Sequence, residues 1–152
     1  MKIFKINIAK VNILHNVALT TAYAAVKSVA SREAFDKMAT IDEDMEILNG
    51  FFSEVCSEIA DNLKEFISAV AISGDKFELS LEVSGAFDES LIPSIESDAY
   101  AAVVAGITAR WFRYSYPERA AEWDVENKQL LRRLLSKLCH RRKPVRQPSP
   151  LV

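Results

Sequence analysis

Glycine is scarce in this chain, with four residues among 152. Sandwiches, barrels and glycine-rich phosphate loops depend on glycine at their turns, so the shortage argues against all three. Histidine is scarcer still, and His15 and His140 stand at no metal-ligand spacing from each other or from a cysteine. A zinc site is not expected. The two cysteines, Cys56 and Cys139, lie far apart within helical patterns, and the spacing gives no support for a disulfide. Buried free thiols in a reducing cytoplasm account for them. No apolar run approaches the length of a membrane span. The opening residues MKIFKINIAKVN alternate charge with apolarity and do not form the continuous hydrophobic block of a secretory signal. No GxSxG, Walker A, HExxH or GxGxxG pattern occurs, and nothing repeats at a solenoid period. The reading therefore assigns no catalytic residue, cofactor, metal or membrane contact.

What is present is ordinary globular material, 49% hydrophobic and 26% charged, of a size for one domain with a real core. The formal charge of −2 hides an asymmetry. Residues 127–152 hold eight basic side chains and no acidic one, whereas the preceding 126 residues hold 11 basic and 21 acidic. An acidic body with a basic end suggests an interaction tail.

The longest periodic signal runs from Thr40 to Val70. Ile41, Met45, Leu48, Phe52, Val55, Ile59, Leu63, Phe66 and Val70 recur at steps of three and four, one stripe on one helix roughly 45 Å long. Thr40 and Glu43 fit a capping box, and Asp42, Asp44 and Glu46 suit the positive helix end. Gly50 marks a close crossing or a bend, and Ser73-Gly74-Asp75 the stop. Upstream, Phe4, Ile6 and Ile8 alternate with polar residues as a short strand, and an alanine-rich helix follows over 12–30. Residues 31–39 link the two helices. Downstream, Phe77, Leu79, Leu81 and Val83 give the clearest strand, whose partner is either the N-terminal strand or a neighbouring subunit. A helix from Pro93 to about Tyr114 is apolar almost all round and reads as the central one, with Ala102, Gly106 and Ala109 permitting close approach. Ser115 and Glu118 flank Pro117 and can cap a last helix reaching His140, which buries Trp123 and Leu130, Leu131, Leu134, Leu135 and Leu138. The expected fold is mainly α: a four-helix bundle-like domain over 1–140, with one long central helix and a minor two-strand β element. A basic, proline-containing flexible tail follows over 141–152.

Two segments carry binding chemistry. Arg110, Trp111, Arg113, Tyr114 and Tyr116 mix arginine with aromatics, which suits stacking on bases, a protein interface or the packed end of a core helix, the last favoured. Arg141, Arg142, Lys143 and Arg146 can meet phosphates or an acidic neighbour. The order of features over 97–146 is a small-residue helix with Tyr100, then Trp111-Phe112 and Pro117-Glu118. A helix with Trp123 follows, then a leucine-rich stretch closing in basic residues and Pro144. This order resembles small helical proteins of prophages, and more distantly the head–tail connector, or head-completion, proteins of tailed bacteriophages. The resemblance implies a non-enzymatic assembly subunit, cytoplasmic until built into a virion. It implies a ring-forming homo-oligomer beside portal or tail components, with DNA contact secondary. A nucleic-acid-binding regulatory module using the basic C-terminal segment is the competing expectation, weakened by the lack of an exposed basic recognition helix.

Overall fold

The computed structural model describes residues 1–28, 36, 38–146 and 148. The proposed link over 31–39 falls largely outside them. The described chain runs β1 (Lys2–Ala9), α1 (Lys10–Ser28), α2 (Met45–Asn62), β2 (Ile67–Ile72), β3 (Lys76–Val83), α3 (Ile92–Ser115) and α4 (Ala120–Leu138). It is mainly helical, with one three-stranded antiparallel sheet ordered β1-β3-β2.

The helix expected over 40–70 is about half that length. Asn62 closes it by donating from Nδ2 to the Glu58 carbonyl at 2.8 Å, and residues 63–66 turn. The next residues enter β2, which adds the third strand to an element expected to have two. The stripe of threes and fours continued through Phe66 and Val70, but Ile67, Val70 and Ile72 are β-branched, and β3 lies just beyond a short connection. Ladder hydrogen bonds to an adjacent strand outweigh the small helical preference of such a run. Ser73-Gly74-Asp75 is accordingly the tip of a hairpin and not a helix stop, with Ser73 Oγ accepting from the Asp75 and Lys76 amides. The start of α2 also differs. Thr40 does not cap it; a single 3-10 turn, Asp42–Asp44, leads in, and the Asp44 carboxylate accepts from the Ile41 amide at 2.9 Å.

The expected strands over 2–8 and 77–83 and the helices expected over 12–30, 93–114 and 117–140 are present with shifted ends. β1 and β3 pair in full antiparallel register, Lys2 with Val83 through Ala9 with Lys76. Their shared inner face buries Ile6, Ile8, Phe77, Leu79, Leu81 and Val83 beneath the helices. Helix α3 is the longest and the most enclosed among the described residues, and α1, α2 and α4 all pack on it. Its close approach is tightest at Gly106, where a Cβ would stand 2.8 Å from a Val55 methyl on α2 and 3.0 Å from Asn127 Nδ2 on α4. Gly50 has open space around it and marks no crossing. The last helix is led by a 3-10 turn, Pro117–Arg119, and no side chain caps it; Ser115 Oγ donates instead to the Trp111 carbonyl.

Candidate functional site

Several residues of the arginine–aromatic segment at the end of α3 make contacts within the fold. Arg110 crosses to α2, with Nη2 at 2.6 Å from Glu58 and Nε at 3.3 Å from Glu54. Trp111 is buried and donates from Nε1 to the Met38 carbonyl at 2.7 Å, fastening the strand of chain that precedes α2. Arg113 lies 3.6 Å from Asp124 and stays exposed. Tyr114 is exposed against the tilted Trp111 ring. Tyr116 is half-buried, and its hydrogen bond to Glu118 raises the phenol above its ordinary range. Only Arg113 and Tyr114 of this group present much surface.

The basic C-terminal residues begin by docking. The Arg142 amide donates to the Ala86 carbonyl at 2.7 Å, and Arg141 forms a single bridge with Phe87. Arg141, Arg142, Lys143 and Arg146 keep exposed side chains, so the start of the tail is held against the loop after β3 while its charges face outward. Residues 147 and 149–152 fall outside the described part of the tail. Two other basic residues of α4 are already engaged. Lys137 Nζ lies 2.5 Å from the buried Asp98 and Arg133 lies 3.2 Å from it, an ion cluster joining α4 to α3. Asp98 accepts a hydrogen bond from Lys137 and pairs electrostatically with Arg133, which offsets the cost of enclosing the carboxylate.

One apolar recess was not anticipated. Helices α1 and α4 both pack on α3 and leave a groove between them. One part, about 540 Å³, is lined by Leu19, Tyr23, Ala24 and Lys27 of α1 with Arg119 and Trp123 at the start of α4. A second part of about 240 Å³ shares Thr20 and Trp123 and runs on over Tyr100 and Val104 of α3. Tyr100 fixes α1 there, its hydroxyl donating to the Asn12 carbonyl at 2.9 Å and accepting from Asn16. Beside the groove, Trp123 Nε1 and Arg119 Nε are buried donors without a hydrogen-bond partner among the described residues. Along the outer side of α1, Val11, Leu19, Tyr23 and Val26 are each more than half exposed. This stripe is a second apolar face of α1, opposite the inner face of alanines with Leu14, Val17 and Thr21.

Cys56 is buried, as expected, and Cys139 is exposed at the end of α4, which corrects its expected burial. The Cys56 thiol is pushed up to about 12 by burial. The acidic residues Asp42, Glu43 and Asp44 form the lead-in turn to α2, and no group of three or more potential metal ligands gathers among the described residues. No helix among the described residues is long and apolar enough to cross a membrane. The sequence matches no protein-family model, no curated protein and no solved structure.

Proposed function

We propose that this chain is a non-enzymatic assembly subunit of the head–tail connector kind, and that it works by holding neighbouring proteins. The observation that carries the reading is the exposed apolar side of α1 together with the groove closed by Trp123. Isolated exposed apolar residues are common on monomers, but a row of four on one helix beside an apolar recess is the composition of a contact surface. Trp123 and Tyr23, which both line the groove, are of the residue types that dominate binding energy. In this reading the bundle is the rigid body of the subunit, copies associate through helix faces into a ring, and the basic end reaches portal or tail components. The order of features over 97–146 supplies the virion assignment.

Light scattering on the purified protein, with and without residues 141–152, tests this. Oligomers that grow with concentration and weaken with Leu19→Glu or Tyr23→Glu support the reading. A strict monomer that binds no portal or tail protein in a pull-down removes it.

A second reading uses the outward Arg141, Arg142, Lys143 and Arg146 on duplex DNA. Their fixed start at the end of α4 favours it, since a held cluster meets a phosphate backbone at a smaller entropic cost than a free tail. Titration of duplex DNA at two salt concentrations separates the two, because phosphate contacts give a steep salt slope and a helix-face contact does not.

A further inference from the structure

Strand β2 lies at one edge of the sheet, and its sequence ISAVAI contains no charged residue and no proline. Natural edge strands are usually guarded by one or the other. The opposite edge is guarded: β1 carries Lys2 and Lys5, and Lys2 pairs with Glu89 at 3.2 Å.

The register defines what β2 presents. Ser73 donates to the Lys76 carbonyl at 2.9 Å at the hairpin end. In an antiparallel ladder, bonded and non-bonded pairs alternate, so Ala71 and Ala69 also turn their amides and carbonyls toward β3. Val70 and Ile72 therefore turn theirs to the open edge. Their side chains lie opposite Leu79 and Phe77, both buried, so they belong to the inner face of the sheet. They are nonetheless 47% and 37% exposed, because the helical layer does not extend over this edge.

We propose that a second copy of this chain covers β2, pairing β2 with β2 antiparallel about a twofold axis through Ala71. In that register Val70 of each copy bonds to Ile72 of the other, so both open residues of each strand are used. Ala71 meets Ala71 as the close, non-bonded pair, with Cα atoms about 4.5 Å apart. Val70 and Ile72 become direct cross-strand neighbours on the inner face, where β-branched pairs stabilise a sheet. No like charges meet, because the strand has none. The axis is perpendicular to the sheet, so both helical layers lie on the same side of one six-stranded sheet.

The competing occupant, β1 of another copy, fits less well. On β1 the residues with free backbone groups are Ile3, Lys5 and Asn7, whose side chains lie on the outer face. Bonding them to Val70 and Ile72 would put the helical layers on opposite faces and bring Lys5 against an apolar strand. The β2 dimer does not rest on the virion role and stands if that role falls.

Sedimentation of the full chain across a wide concentration range tests it. A reversible dimer is expected, in the weak range typical of a small interface. Val70→Pro removes an amide that faces only the open edge, so it spares the hairpin. Ile72→Lys adds a gatekeeping charge to the same edge. Each variant is expected to keep the helical spectrum and melting temperature and to weaken the dimer at least about tenfold. In a Cys139→Ser background, Ala71→Cys is expected to oxidise to a cross-linked dimer, whereas Ala69→Cys, far from its own mate in this register, is not. A chain that stays monomeric throughout overturns the proposal. So does an association unchanged by both edge variants, or cross-linking at 69 as efficient as at 71.

Discussion

Asn127 on α4 donates from Nδ2 to the Ala102 carbonyl oxygen on α3 at 2.7 Å, inside the core. The carbonyl lies within α3 and also takes part in that helix's own hydrogen bonding, so the added bond is a tie between helices and not a rescue of an orphan. Truncation with Asn127→Ala should cost about 1–2 kcal/mol. Asn127→Asp should cost more, about 3 kcal/mol at neutral pH, because it sets an acceptor against an acceptor and buries a charge. The gap between the two variants should narrow on acidification, since a protonated carboxyl regains a donor. Urea unfolding at pH 7 and pH 4.5 checks both statements.

Two glycines should respond to alanine with opposite sign. At Gly106 the new methyl would stand 2.8 Å from a Val55 methyl whose own side is packed. Overpacking costs about 1–3 kcal/mol, against a helix-propensity gain of about 1 kcal/mol, so Gly106→Ala should be destabilising overall. Gly50 lies within α2 and meets nothing within 4 Å, so Gly50→Ala should stabilise by up to about 1 kcal/mol. Thermal melts of the two variants side by side give the comparison.

The ion cluster around Asp98 makes a third case. Asp98→Ala leaves Lys137 and Arg133 facing an emptied site, although both can still reach water. Breaking a fully buried pair costs about 3–5 kcal/mol; the partial exposure of Lys137 puts the expected loss near 2 kcal/mol. Replacing Asp98 and Lys137 together by leucine and methionine should restore much of it. Chemical denaturation of the single and double variants measures the coupling.

Burial gives Cys56 a pH signature. The folded thiol ionises near 12, against an ordinary value of 9.0, so between those limits the unfolded chain releases a proton that the folded chain keeps. Stability should therefore fall as pH rises from about 9 to 12, with no contribution from this thiol below 9. Cys56→Ala should flatten that part of the profile. In the native protein at pH 8, iodoacetamide should label the exposed Cys139 and spare Cys56, and mass spectrometry of the digest reads the difference directly.

These residues also mark how far the amino-acid pattern reaches. β1, β3 and the leucine-rich α4 were legible because each holds one period, and α1 and α3 because they are long runs of alanine and other apolar residues without a strand's alternation. β2 was not, because Phe66 and Val70 extend the helical stripe of α2 by chance, while the features favouring a strand are the hairpin and the neighbour β3. The inner face of α1 was legible, whereas its outer apolar residues are interrupted by polar ones and give no continuous stripe in the sequence. Asp98 and Asn127 look like surface residues in a linear pattern; their burial depends on what α3 and α4 bring opposite them. Arg110 and Trp111 had the composition of a binding segment, yet Glu54, Glu58 and the Met38 carbonyl engage them within the fold.

The strand order β1-β3-β2 has a consequence for synthesis. β1 is translated before β3, its neighbour in the sheet among the described residues, so Lys2 must wait for Val83. The β2–β3 hairpin closes over three residues and can form as soon as it leaves the ribosome, whereas the amino-terminal strand must travel back across the assembled hairpin to dock. Long-range pairings of this kind close late. The lysines of β1 suit that interval, keeping an unpaired strand hydrated until its place is ready.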